Sequence, residues 1–346
     1  MTGVRIAAYF FAISLMSGGP AFGDVIFHSG SAGNCLGCHT SPPQLLGPDP
    51  SSTCLACHST AGKYYNVKSP NGSSFTSGGD FYWLGKTFQS FNNPMSSAGD
   101  SHGHNIIALS YGLSVDARLN TAPGGVYPSG SLGCNSCHDP HAVTGVSYRL
   151  LGGVGYQAGL SSGFSFLNPA PIAVAPANWS ETDNNHVSYG SGFSEWCANC
   201  HSTFLSCGIG INITHHPACN AAFLGPHISA NYNQYISSGN LSGSSSVAYR
   251  ALVPFENGTI NAASLNPSGT SGPGARANIL CLTCHRAHAS AFSSIGRWDF
   301  QATMFKYSHP NGAGDGSTYS DKLNSYYGRT FEDFQRQLCN KCHIRD

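Results

Sequence analysis

Six times the sequence reads Cys-x-x-Cys-His, and a chain built around six such motifs has little freedom in what fills its interior. The copies are Cys35-Leu36-Gly37-Cys38-His39, Cys54-Leu55-Ala56-Cys57-His58, Cys134-Asn135-Ser136-Cys137-His138, Cys197-Ala198-Asn199-Cys200-His201, Cys281-Leu282-Thr283-Cys284-His285 and Cys339-Asn340-Lys341-Cys342-His343. Two thiols three residues apart can bond the two vinyl groups of one haem, and the next residue then lies under the iron as its proximal ligand. Zinc sites also use paired cysteines, but zinc does not require His directly after every second Cys. The motifs therefore imply six haem c groups, with His39, His58, His138, His201, His285 and His343 as proximal ligands.

These motifs use twelve of the 14 cysteines. Cys207 and Cys219 remain. An even leftover pair in an exported chain fits a disulfide, and the alternative is two buried thiols.

The second axial ligand decides whether a haem iron reacts or only passes electrons. Ten histidines lie outside the motifs, enough to close all six irons. Beyond the N-terminal apolar stretch the methionines are Met95 and Met304, too few to serve as the general second ligand. The distal candidates are His28, His104, His141, His216, His288 and His309. His141 and His288 each follow a proximal His by three residues, in Cys-His-Asp-Pro-His and Cys-His-Arg-Ala-His. Such a residue cannot cross to the far face of its own haem, so each is expected to ligate a neighbouring haem. A short segment gripping two irons forces those haems together. His216-Pro217 and His309-Pro310 fix turns that can present an imidazole without a helix. His102, His186, His215 and His227 read as bystanders, with His186 and His215 in reserve.

Residues 1–23 read as an export signal: Arg5, the apolar run Ile6 to Met16, and small residues at Ala21-Phe22-Gly23. Residues 24–346 are then one hexahaem domain. No later stretch is apolar for long enough to suggest a membrane helix. Charged residues are 9% of the chain and the net charge is +0, so no basic face invites nucleic acid and few charges oppose self-association. With 42 glycines and no sustained helical or strand period, the expected fold is mostly irregular, with short helices and a few short strands wrapped around the haems. A globule of this length has a radius of gyration of roughly 20 Å, which puts six haems at steps on the order of 10 Å. The best helix candidate is Thr330 to His343. Ser237 to Ser246 reads as a Gly/Ser-rich surface loop. Motif spacing is irregular, so no short tandem repeat is indicated.

Several segments outside the motifs carry a resemblance. They include Phe27-His28-Ser29-Gly30, Gly78-Gly79-Asp80-Phe81-Tyr82-Trp83-Leu84, Gly103-His104-Asn105-Ile106, Ala122-Pro123-Gly124-Gly125-Val126-Tyr127-Pro128, Ser194-Glu195-Trp196 and Tyr326-Tyr327-Gly328-Arg329-Thr330. With Cys137-His138-Asp139-Pro140-His141 and Cys284-His285-Arg286-Ala287-His288, the chain resembles the OmcS-like hexahaem outer-surface cytochromes of metal-reducing bacteria. The resemblance implies bis-His ligation throughout, a mostly coil fold, haems in alternating stacked and T-shaped pairs, and head-to-tail polymers carrying a continuous haem chain. It implies His28, His104, His141, His216 and His288 as distal ligands. It also implies a His three residues past the first motif, ligating a haem of the next subunit. Here that place is Pro42, which cannot bind iron, and His309 is the candidate replacement.

The expected function is electron conduction rather than catalysis, at the cell surface or outside it, with copies of itself, other cytochromes or extracellular acceptors as partners. One alternative is a monomeric periplasmic shuttle. Another is a multihaem reductase, which needs an open iron.

Overall fold

The computed structural model describes residues 28, 35–59, 65–89, 96–145, 147–157, 159, 163–205, 207, 216–236, 238–308, 316–331 and 335–343. The export-signal segment and His309 lie outside them. Within them most of the chain is turn and coil, as the composition implies.

Three two-stranded antiparallel ribbons form: β1 (His39–Ser41) with β2 (Gln44–Leu45), β3 (Phe88–Gln89) with β4 (Ser96–Ser97), and β5 (Ile172–Val174) with β6 (Ser188–Ser191). The helices are short: α1 (Pro50–His58), α2 (Phe193–Cys197), α3 (Gly225–Tyr235), α4 (Cys281–Cys284), α5 (Tyr319–Ser325) and α6 (Cys339–Cys342). No helix among the described residues is long and apolar enough to cross a membrane.

Most motifs sit on a helical turn, because that turn aims the two cysteines and the histidine together. In motifs three to six the histidine N–H donates to the carbonyl of the first cysteine, for example His138 to Cys134 at 3.0 Å and His285 to Cys281 at 2.9 Å. α1 starts on Asp49, whose carboxylate accepts from Ser52 N at 2.7 Å, with Pro50 at the first helical position. The helix expected over Thr330 to His343 shrinks to α6. Arg336 instead bridges to Met304, and Gln335 O and Gln337 N bond residues 305 and 303, so tertiary pairing wins over local helix propensity there. α3, which carries no motif, was not foreseen. The described part of the Gly/Ser loop is exposed but tied back, with Gly243 N on Gln234 O and Gly272 N on Ser245 O.

Aromatic side chains form the largest apolar cluster, including Trp83, Phe88, Phe292, Trp298, Phe305 and Tyr326, all buried. One strand-like crossing positions the ligand segments. Residues 288–290 run between residues 78–80 and 102–104. His288 N bonds Gly78 O, Asp80 N bonds Ala289 O, His104 N bonds His288 O and Ser290 N bonds His102 O. Glycine is required at both flanks. A Cβ at Gly78 would lie 2.6 Å from His288 Nδ1, and one at Gly103 would lie 2.4 Å from His288 O.

Candidate haem sites along the chain

Five of the six proximal histidines face a second imidazole. A first-row metal binds a histidine nitrogen at about 2 Å, so an iron gripped from both sides sets the ring centroids roughly 6 Å apart. His28 and His58 stand at 6.3 Å, His39 and His141 at 6.2 Å, and His138 and His288 at 6.4 Å. His104 and His201 stand at 5.9 Å, and His216 and His343 at 6.1 Å. With the cysteine pair beside each proximal His, the donor set and spacing fit a c-type haem at each of these five places.

The pairing bears on the sequence reading of the short segments. His141 faces the proximal ligand of the first motif, not the third, and His288 faces that of the third motif, not the fifth. The fifth proximal ligand, His285, faces no second imidazole among the described residues. Phe300 lies edge-on to it at 5.6 Å. His102 and His186 are bystanders with both ring nitrogens engaged. His102 contacts Trp83 O and Ser97 Oγ, while His186 contacts Val187 O and Gly269 O. His227 is exposed on α3. His215 lies outside the described residues.

Second partners orient the ligands. Backbone carbonyls accept from Nδ1 of His58 (Tyr65), His138 (Arg149), His201 (Pro123), His285 (Ser294), His104 (Ala287) and His216 (Pro217), at 2.6–3.1 Å. That tautomer puts the ligating lone pair on Nε2. Desolvation, and next the neighbouring His201, pushes His104 down to about 4; desolvation, and next His138, pushes His288 down to about 3. Both imidazoles are therefore neutral, as a metal ligand must be.

The motifs are neighbours in space in their sequence order. The thiols of Cys54 and Cys134 lie close enough to influence each other, as do those of Cys197 and Cys281. The pairs Cys38–Cys54, Cys137–Cys200 and Cys284–Cys339 sit close enough to interact electrostatically. Motifs two and three, and again four and five, are joined by one device. A serine three residues before the first cysteine of the earlier motif accepts from the N–H of the first cysteine of the later one: Ser51 from Cys134 at 3.1 Å, and Ser194 from Cys281 at 3.0 Å.

Although motif spacing is irregular, the third and fifth motifs share a plan. Ser136 accepts from Gly133 N, and Thr283 from Leu280 N. His138 bonds Arg149 O and His285 bonds Ser294 O, each carbonyl belonging to a pair of non-glycine residues at positive φ: Arg149 and Leu150 at 49° and 54°, Ser294 and Ile295 at 56° and 54°. Asp139 N and Arg286 N then bond Leu150 O and Ile295 O. Each unit carries the motif histidine and, three residues on, the imidazole that faces the motif histidine two motifs earlier.

No protein-family model matches the chain. A curated relative, the C-type cytochrome OmcS of Geobacter sulfurreducens, is 35% identical over 432 aligned residues, covering 99% of each chain. The chain belongs to the OmcS family of c-type cytochromes. Two solved OmcS-family structures have the same fold. The cryo-EM structure of the OmcS nanowires from Geobacter sulfurreducens matches with a TM-score of 0.81 at 35% identity, covering 92% of this chain and 100% of that one. The outer membrane cytochrome S filament from the same organism matches with the same score and coverage at 36% identity.

The remaining cysteines, Cys207 and Cys219, form a disulfide with Cα atoms 5.4 Å apart, and His216 lies between them in sequence. Sequence reasoning missed Ser51, Ser194 and the carbonyl acceptors, because serine and backbone carry no pattern that marks a haem.

The ring planes differ from site to site. His28/His58 and His39/His141 are nearly parallel, at 13° and 18°, whereas His216/His343 are crossed at 73°. Crossed imidazoles leave the two iron dπ orbitals that bond with the ligands nearly equal in energy. Low-temperature electron paramagnetic resonance of the oxidised protein should show one strongly anisotropic low-spin component with a larger maximum g than the rest. His216→Ala should remove that component alone.

Proposed function

We propose that this protein carries six haems c, each iron held between two imidazoles, and passes electrons along them as the subunit of an extracellular filament. The observation that supports this most is the set of five imidazole pairs at 5.9–6.4 Å on motifs that neighbour one another in order. The haem supplies a one-electron couple at each site. The polypeptide holds both imidazoles neutral and oriented, closes the irons to substrate and fixes the steps between neighbours. His309 closes the iron on His285 from within the chain, taking the role that Pro42 cannot fill. Residues 1–23 direct export and are removed. The solved OmcS-family assemblies are described as nanowires and a filament, and head-to-tail association of this chain is read from that kinship. Electron acceptors are other cytochromes or extracellular oxidants.

One observation favours a monomeric shuttle instead: Pro42 lies exposed at the turn of the β1–β2 ribbon, where the family resemblance calls for an intersubunit ligand. Cryo-electron microscopy of the purified protein, with a pyridine haemochrome count, decides between the readings. Filaments with six bis-His haems per subunit are expected. Monomers alone would overturn the filament, and an open iron in most subunits would reopen the reductase reading.

A further inference from the structure

The units around the third and fifth motifs match in backbone and hydrogen bonding but place their charges differently: Asp139 and Arg149 in one, Arg286 and Arg297 in the other. The carbonyl that orients His138 belongs to Arg149, while the one that orients His285 belongs to Ser294. The Arg149 side chain turns inward. Its guanidinium lies 4.5 Å from the ring centroid of Tyr65, whose own carbonyl orients His58, and 5.5 Å from that of Tyr148. Nε donates to Tyr148 Oη at 2.8 Å, but Nη2 is buried with no acceptor. Its positive charge is felt at both His138 and His288, the two imidazoles that face each other.

A buried guanidinium nitrogen without an acceptor is costly, and a buried cation without a counter-charge more so. No carboxylate forms an ion pair with Arg149 among the described residues, although the buried Glu181 is near enough to feel it. A c-type haem brings two propionates, and guanidinium is the group best shaped to receive a carboxylate. With the positive φ at Arg149, unusual for a side chain of this size, the carbonyl reaches His138 while the side chain turns over Tyr65 and Tyr148.

We infer that Arg149 pairs with a propionate of the haem held between His138 and His288, and makes that haem more oxidising than an unpaired propionate would leave it. The inference rests on the bis-His reading of this site. Reduction adds an electron to the iron, so an unpaired propionate nearby favours the ferric state, and a guanidinium that neutralises it favours the ferrous state. In the unit built on Ser294 the cation beside the proximal ligand is Arg297, whose donors are taken up by the carbonyls of Leu282, His285, Ala251 and Leu252.

The test is a spectroelectrochemical titration of the full-length haem-loaded protein and of Arg149→Gln and Arg149→Lys, with haem counts and low-spin signals recorded. One of the six components should move to lower potential in Arg149→Gln and stay near the wild-type value in Arg149→Lys. The propionate-bending band in resonance Raman should shift in the glutamine variant. In a His288→Ala background, the shifted component should be the one that has become high-spin. Six unmoved midpoints with six haems retained would overturn the inference and leave the conduit reading intact. A shift at a component that stays low-spin in the His288→Ala background would also overturn it. Should Arg149→Gln not accumulate, Arg149→Met at the same position supplies the neutral variant, and an unmoved band and midpoint there count equally against the pairing. A wild-type protein without bis-His haems would instead sink the function itself.

Discussion

His288→Ala opens the iron of the third motif and breaks conduction along the whole assembly. The substitution removes the imidazole that faces His138 at 6.4 Å. One low-spin component of six should be replaced by a high-spin one. Axial ligands set haem potentials over a wide range. A mismatch of about 120 mV between this haem and its neighbours costs about two decades of forward rate, at 59 mV per decade for a one-electron couple. Conductance of the assembled protein should therefore fall on the order of a hundredfold, because the third site lies inside the sequence of neighbours with no route around it. His227→Ala, an exposed histidine on α3, should leave both readouts unchanged. Equal conductance in the two variants would mean that charge does not pass through the third site.

The disulfide-free double variant Cys207→Ser/Cys219→Ser should lose its grip on the sixth haem first. The cross-link spans 12 residues of sequence and encloses His216, the imidazole facing His343. Cys219 is fully buried and its carbonyl accepts from Ala222 N, so the loop hangs from a fixed point. Closing a loop of this size is worth about 3 kcal/mol in the chain-entropy account. Amide exchange over residues 216–224 should speed up by roughly two decades, since 1.4 kcal/mol is about a factor of ten. The crossed-ligand magnetic signal should broaden or vanish while the other components persist. Unchanged exchange would show that packing alone holds this arm.

Much of the site was legible in the sequence because covalent chemistry wrote it there. Cys-x-x-Cys-His states its purpose through spacing, and the three-residue offset to His141 and His288 excludes their own haems by geometry. In the structure these two imidazoles face His39 and His138. What stayed hidden depends on contacts between distant segments. Nothing near Ser51 or Ser194 announces that its hydroxyl will meet a cysteine N–H of the next motif. Gly78 reads as one glycine among many until an imidazole is laid against it. The predicted C-terminal helix failed for the same reason, since pairing of Arg336 with Met304 overrides local preference. The coil-rich fold was legible from low charge and abundant glycine, but α3 was not, because its sequence has little amphipathic pattern.

The borrowed ligands constrain how such a chain can be made. On the proposed ligation the first iron waits for His141 and the third for His288, each supplied by a stretch that leaves the export channel much later. Haem attachment can run from the N-terminus onward, yet no early portion can finish folding on its own. The first and third haems, once anchored, must remain half-coordinated, and exposed to stray thiols and small molecules, until the later segment arrives to seal them. Premature termination ahead of residue 288 would yield a reactive fragment rather than a shorter wire.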